Sequence, residues 1–166
     1  MRITLLFIVS VVSLPFASLS RAAIVTGAEI IEYGIFDTVP IGSRREPGVL
    51  SGQVHEIPTA KLKERTAIIP AQLGTNFGIT IKLIGRPSGQ QVNCWIRWTH
   101  PKVTNPETKE SSERSEFPGR HPIGEAASTG FTFDHPWELV PGEWTVQIFW
   151  DWKLVAEKTF VVVLPH

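Results

Sequence analysis

The sequence predicts an all-β chain, an immunoglobulin-like antiparallel β-sandwich of about seven strands. Three observations carry this expectation. Apolar residues recur with period two rather than 3.6, as half-buried strands require. Thirteen glycines and thirteen prolines punctuate the 166 residues, leaving short segments separated by turns. Helix signals are weak, with only Thr59 to Arg65 able to form a turn or two, so no helices are available to cover a parallel sheet.

The chain opens with Met1 and Arg2 followed by an almost unbroken apolar run, Ile3 to Val12. Ser20-Arg21-Ala22 then places small residues where a signal peptidase needs them. This layout predicts a signal peptide over residues 1–22 and a single β-sandwich domain over residues 23–166. A membrane span would need roughly 20 apolar residues, and Ser13 and Pro15 interrupt the run first. The expected location is therefore periplasmic or secreted, with no membrane span once the leader is removed. The single cysteine, Cys94, precludes an intramolecular disulfide and lies far from any lipid-attachment position. Its place in the apolar run Val92 to Trp98 reads as core packing.

Losing Arg2 and Arg21 from 16 basic residues leaves 14 against 16 acidic ones. Such a balance lacks the clustered basic surface that nucleic acid attracts.

The elements follow in order. Ala28 to Phe36 is the first expected strand, and Thr66 to Ile69 a short second. Phe77-Gly-Ile79-Thr-Ile81-Lys-Leu83 is the clearest, with apolar residues at every odd position. In Asn93 to Trp98, Cys94, Ile96 and Trp98 share one face, while Asn93, Trp95 and Arg97 share the other. Phe131 to Asp134 and Trp144 to Trp150 follow, the latter with Trp144, Val146, Ile148 and Trp150 inward. A polar connection near Asp151-Trp152-Lys153 then leads into a return strand from Leu154 to Val163, whose β-branched run reads as covered on both sides. Residues 38–65 and 101–127 read as long loops, the second hiding a polar edge strand around Glu110 to Phe117.

Trp137-Glu-Leu-Val-Pro-Gly-Glu-Trp-Thr-Val-Gln-Ile, with Leu154 to Val162, Glu29 to Ile35, Leu73 to Ile79 and the Trp98-Thr-His100-Pro101 step, resembles a family of small exported bacterial domains of unknown function. The resemblance covers most of the mature chain. It implies export and the sandwich fold, and it carries over no functional residue. Pro141-Gly142 also has a local reading: proline fixes φ at one corner, glycine accepts positive φ at the next, and Trp144 starts the inward face.

No nucleophile elbow, phosphate loop, paired helical histidines or close cysteine pair occurs. The expected function is a non-enzymatic binding or accessory module of the bacterial cell envelope, with no cofactor and with a protein or glycan partner. Six tryptophans motivate this, because exposed aromatic rings give flat faces for sugars or partners. Trp95, Arg97, Phe149 and Trp152 are the candidate ligand-binding residues, Trp95 and Phe149 pointing away from the core and Trp152 standing at a hairpin tip. One alternative is a metal site, with His100, His121, His135 and Asp134 meeting at one pole of the sandwich as zinc or copper ligands; solvated loop histidines are the plainer account of the same residues. Another is a structural domain that pairs with other chains by strand addition.

Overall fold

The computed structural model describes residues 22–165. Apart from Ala22, the expected signal peptide lies outside the described residues. The chain forms β1 (Ile24–Thr38), β2 (Gly42–Arg45), β3 (Gln53–Glu56), β4 (Ala60–Glu64), β5 (Ile68–Pro70), β6 (Asn76–Arg86), β7 (Gln91–Thr104), β8 (Ser111–Pro122), β9 (Ala126–Thr132), a short 3₁₀ turn (Pro136–Glu138), β10 (Gly142–Trp150) and β11 (Lys153–Val163). A four-stranded sheet ordered β4-β1-β6-β9 faces a five-stranded sheet ordered β5-β11-β10-β7-β8, and β2 and β3 form a separate hairpin. All pairings are antiparallel except β5 with β11. The fold is the expected immunoglobulin-like β-sandwich.

Period-two burial builds the core. Phe77, Ile79, Ile81 and Leu83 on β6 face Cys94, Ile96 and Trp98 on β7 and Trp144, Val146 and Ile148 on β10, and all are buried. Phe77 is the hub of an aromatic cluster, its ring centroid 5.3 Å from Trp98, 5.3 Å from Phe133, 5.4 Å from Phe160 and 6.0 Å from Trp144. Trp150 is only half buried, at the margin of this core.

The sequence expectations need correction in several places. Thr59 to Arg65 is not helical; Ala60–Glu64 is β4, paired with the end of β1. Cross-strand hydrogen bonds available along β1 outweigh the weak helical propensity of so short a run. Residues 38–65 are not one loop, since they contain the β2–β3 hairpin, and this helps raise the strand count above seven. The return strand β11 is not covered on both sides: Phe160 and Val162 are buried, whereas Val161 and Val163 are exposed, so its valines reflect β propensity rather than double burial. Residues 101–127 are not one loop either: β7 runs to Thr104, the polar edge strand expected near Glu110 to Phe117 is the longer β8 at the margin of the five-stranded sheet, and β9 begins at Ala126.

The β2–β3 hairpin plugs one open side of the sandwich. Val49, Leu50 and Val54 pack against the core, and His55 Nε2 lies 2.8 Å from Asp134 Oδ2. From its end the chain continues through Ile57 to Ala60 over the outer face of the four-stranded sheet, beside Phe36 and Asn76, both buried on that face.

The run from Trp137 to Ile148 has a structural explanation. Glu138 accepts the backbone N–H groups of Asp134 (2.8 Å) and His135 (2.9 Å), satisfying amides at the 3₁₀ turn. The Trp144 indole donates to the Val140 carbonyl at 3.0 Å. Gly142 has φ +134°, and a Cβ there would stand 2.7 Å from Pro101 Cγ, so no side chain fits at this entry to β10.

Candidate ligand-binding face

The outer face of the five-stranded sheet carries two parallel rows of side chains. Register pairs Pro118 with Trp95, Trp95 with Phe149, and Phe149 with Leu154, so one apolar row crosses β8, β7, β10 and β11. A bulge at Val155 makes the last pair; without it, alternation would turn Leu154 inward. Trp95 is 38% exposed and Leu154 49%. Two residues along, Glu116, Arg97, Gln147 and Glu157 form a polar row by the same pairings. Arg97 ion-pairs with Glu116 while its guanidinium sits 4.7 Å from the centroid of the Phe149 ring, a cation–π geometry. Gln147 Nε2 donates to Glu157 Oε2 at 2.6 Å.

The β10–β11 hairpin sets one wall. Trp150 pairs with Lys153, leaving a two-residue loop in which Asp151 has φ 47° and Trp152 φ 62°. Positive φ at both loop residues is the type I′ requirement, normally met by Asn-Gly because a bulky side chain is disfavoured there. Trp152 occupies the glycine position and is 88% exposed.

A hollow of about 680 Å³ lies on the apolar row, lined by Trp95, Phe149, Trp152, Pro118, Arg44 and Arg120 among others. Arg44 reaches it from β2, held by a 2.8 Å hydrogen bond to the Pro118 carbonyl. Arg120 on β8 is exposed and makes no salt bridge among the described residues.

The structure therefore brings Trp95, Phe149 and Trp152 into one hollow. Arg97 lies one row over, in the neighbouring depression that also includes Trp95, Gln147 and Glu113. Sequence reasoning missed Pro118, Leu154, Arg120 and Arg44. Alternation along β8 points to the first and third; nothing local points to Arg44, which comes from a segment read as loop. Beneath this face the Cys94 thiol is pushed up to about 11 by burial, so it is no nucleophile at neutral pH.

The expected metal cluster does not assemble: among the described residues no three His, Cys, Asp or Glu side chains are placed to hold an ion. Nor are the histidines all solvated loop residues. His100 is buried, with Nδ1 2.8 Å from the Pro101 carbonyl oxygen and its ring stacked on Trp144 at 4.7 Å. His121 is buried on β8 with neither ring nitrogen hydrogen-bonded. Desolvation by burial lowers both pKa values below the ordinary 6.5, so each is held neutral. His135 stacks on Trp137, and Asp134 is taken by His55. These residues occur beside proline because strand bends and bulges, as well as loops, tolerate it.

The family described as Domain of unknown function (DUF3859) matches residues 25–162. The chain belongs to this family. Its match runs from β1 nearly to the end of β11, so the DUF3859 unit contains both sheets, the β2–β3 hairpin and the whole outer face. The crystal structure of an immunoglobulin-like protein from Pseudomonas aeruginosa is similar to this DUF3859 chain at a TM-score of 0.59 and 26% identity, covering 82% of this chain and 96% of that one. Comparison with curated proteins gives no match.

Proposed function

We propose that this DUF3859 protein is an exported, non-enzymatic binding module of the bacterial cell envelope, periplasmic or secreted, and that its ligand engages the outer face of the five-stranded sheet. The carrying observation is the outward-facing apolar row of Pro118, Trp95, Phe149 and Leu154, Phe149 half-buried and the others exposed, with Trp152 standing beside it. Single exposed hydrophobics are ordinary, whereas a contiguous aromatic patch rimmed by polar groups marks interaction sites. The leader-like segment at residues 1–22 supports export, and the absence of nucleophile or phosphate-loop motifs supports a non-enzymatic role.

Strand addition is less well supported at β8, where Gly48 accepts the Glu116 amide at 2.8 Å and Arg44 bonds the Pro118 carbonyl; the hairpin already engages that edge. The test is co-sedimentation with purified envelope fragments. Wild-type protein should pellet with them, and Trp95→Ala and Trp152→Ala should not. Undiminished pelleting of both variants would remove the face from consideration. Amino-terminal sequencing of protein recovered from the periplasm or medium should begin at Ala23.

A further inference from the structure

Trp152 combines two unfavourable features. Its backbone is in the left-handed region at φ 62°, which bulky residues avoid. Its ring is 88% exposed, so it gains almost no burial within this chain. Strain retained without a packing reward is characteristic of binding sites, and tryptophan is enriched among residues that dominate binding energy.

The surroundings specify the ligand further. The hollow is a trough rather than a flat patch: Trp95 and Phe149 line it, Trp152 stands at the β10–β11 tip, and Arg44, Pro118 and Arg120 lie at the opposite margin. Its volume of about 680 Å³ lies in the small-ligand range, and a protein partner would instead cover about 800 Å² per side. Ring faces carry partial negative charge and attract the slightly positive C–H faces of sugar rings. The charged residues around the trough are Arg44, Arg120 and Asp151. Arg44 is offset by Glu46 at 3.7 Å, and Asp151 stands at the hairpin tip, so the cation left without a partner among the described residues is Arg120, at the β8 margin away from Asp151.

We infer that the trough binds an acidic oligosaccharide, its sugar rings stacked on Trp95 and Trp152 and a carboxylate paired with Arg120. This rests on the binding-face reading above and names its ligand class. Arginine suits the role because its planar fork meets a carboxylate with two parallel hydrogen bonds.

The experiment is calorimetric titration of the purified protein with tri-galacturonate and with its fully methyl-esterified form, which keeps the rings and removes the charge. The acid should bind at least tenfold more tightly than the ester, and this advantage should shrink with added salt. Arg120→Gln should reduce acid binding to the level of the ester and leave ester binding unchanged. Trp152→Ala should abolish both; since its side chain is solvent-exposed, an unchanged melting curve separates that loss from misfolding. Equal affinity for acid and ester would overturn the acidic ligand while leaving the face intact. Binding that survives both Trp152→Ala and Trp95→Ala would overturn the face itself. Failure of both trimers to bind would overturn the oligosaccharide inference, while co-sedimentation with envelope fragments would still report on the face independently.

Discussion

The two outer faces of the sandwich are treated differently. On the four-stranded sheet, Phe36 also points outward, beside Asn76, yet Ile57 to Ala60 run beside it and Phe36 is 5% exposed. The remaining outward positions there include Glu29, Glu32, Thr80 and Lys82, and Thr80 is tied to Ser128 at 2.9 Å. On the five-stranded sheet the outward aromatic residues have no such strap. The same chain thus shelters a large side chain on one face and leaves two tryptophans open on the other. Outward position alone does not decide exposure: the β2–β3 hairpin engages the five-stranded sheet only at its β8 side, through Arg44 and Gly48, and leaves Trp152 uncovered.

The largest expected effect tests this contrast directly. Phe36→Ala should cost about 3–5 kcal/mol, as for a buried phenylalanine, against less than about 1 kcal/mol for Phe149→Ala. Urea unfolding of the two variants would measure it, and similar losses would erase the distinction between the faces. Next in size is Trp152→Gly, which restores the residue type that a type I′ turn favours. It should stabilise the protein by about 1 kcal/mol while eliminating ligand binding. Destabilisation would instead mean that the ring supports the fold, and Trp152 would leave the binding argument. Smaller again is Trp95→Ala, expected within about 1 kcal/mol of wild type because its ring is on the open side of the sheet, again read by urea unfolding.

The smallest effect concerns acid sensitivity and locates it away from the proposed binding face. His100 and His121 have folded pKa values below 6.5, so below that pH the unfolded chain takes up protons that the folded one refuses. Their influence should be absent above about pH 6.5, and stability should fall as pH drops below it. Glu138 acts in the opposite sense: burial raises its pKa, so its ionisation weighs against the fold as pH rises past the ordinary 4.5. His121→Leu removes a buried imidazole that lacks partners and should flatten the decline between pH 6.5 and 5. Melting curves across that range give the measurement, and an unchanged slope would shift the acid sensitivity to other groups.

How far the sequence reveals this arrangement depends on the range of the interaction. Alternation along Phe77 to Leu83, Cys94 to Trp98 and Trp144 to Ile148 is a local signal, because a strand's pleat assigns each side chain a face, and those positions are buried as expected. The same rule placed Trp95 and Phe149 together on the outer face. It failed where the chain's own contacts are distant. The His55–Asp134 bond spans 79 residues, so nothing near either residue announces it, and the histidines expected at one pole were dispersed. Arg44 enters the trough on a hairpin whose polar, glycine-rich text resembles a loop. The Val155 bulge, which brings Leu154 to the outside, inserts one residue without any punctuation by proline or glycine.

The protein's one thiol adds a final consequence. Cys94 is buried on β7, between strands β10 and β8, and is protonated at physiological pH. It should therefore ignore alkylating reagents until β7 parts from its edge-strand neighbour β8, where Cys94 pairs with Gly119. Its labelling rate under native conditions becomes an intrinsic clock for opening of the β7–β8 side of the sheet, requiring no introduced probe, and a ligand in the proposed trough above it should slow that clock.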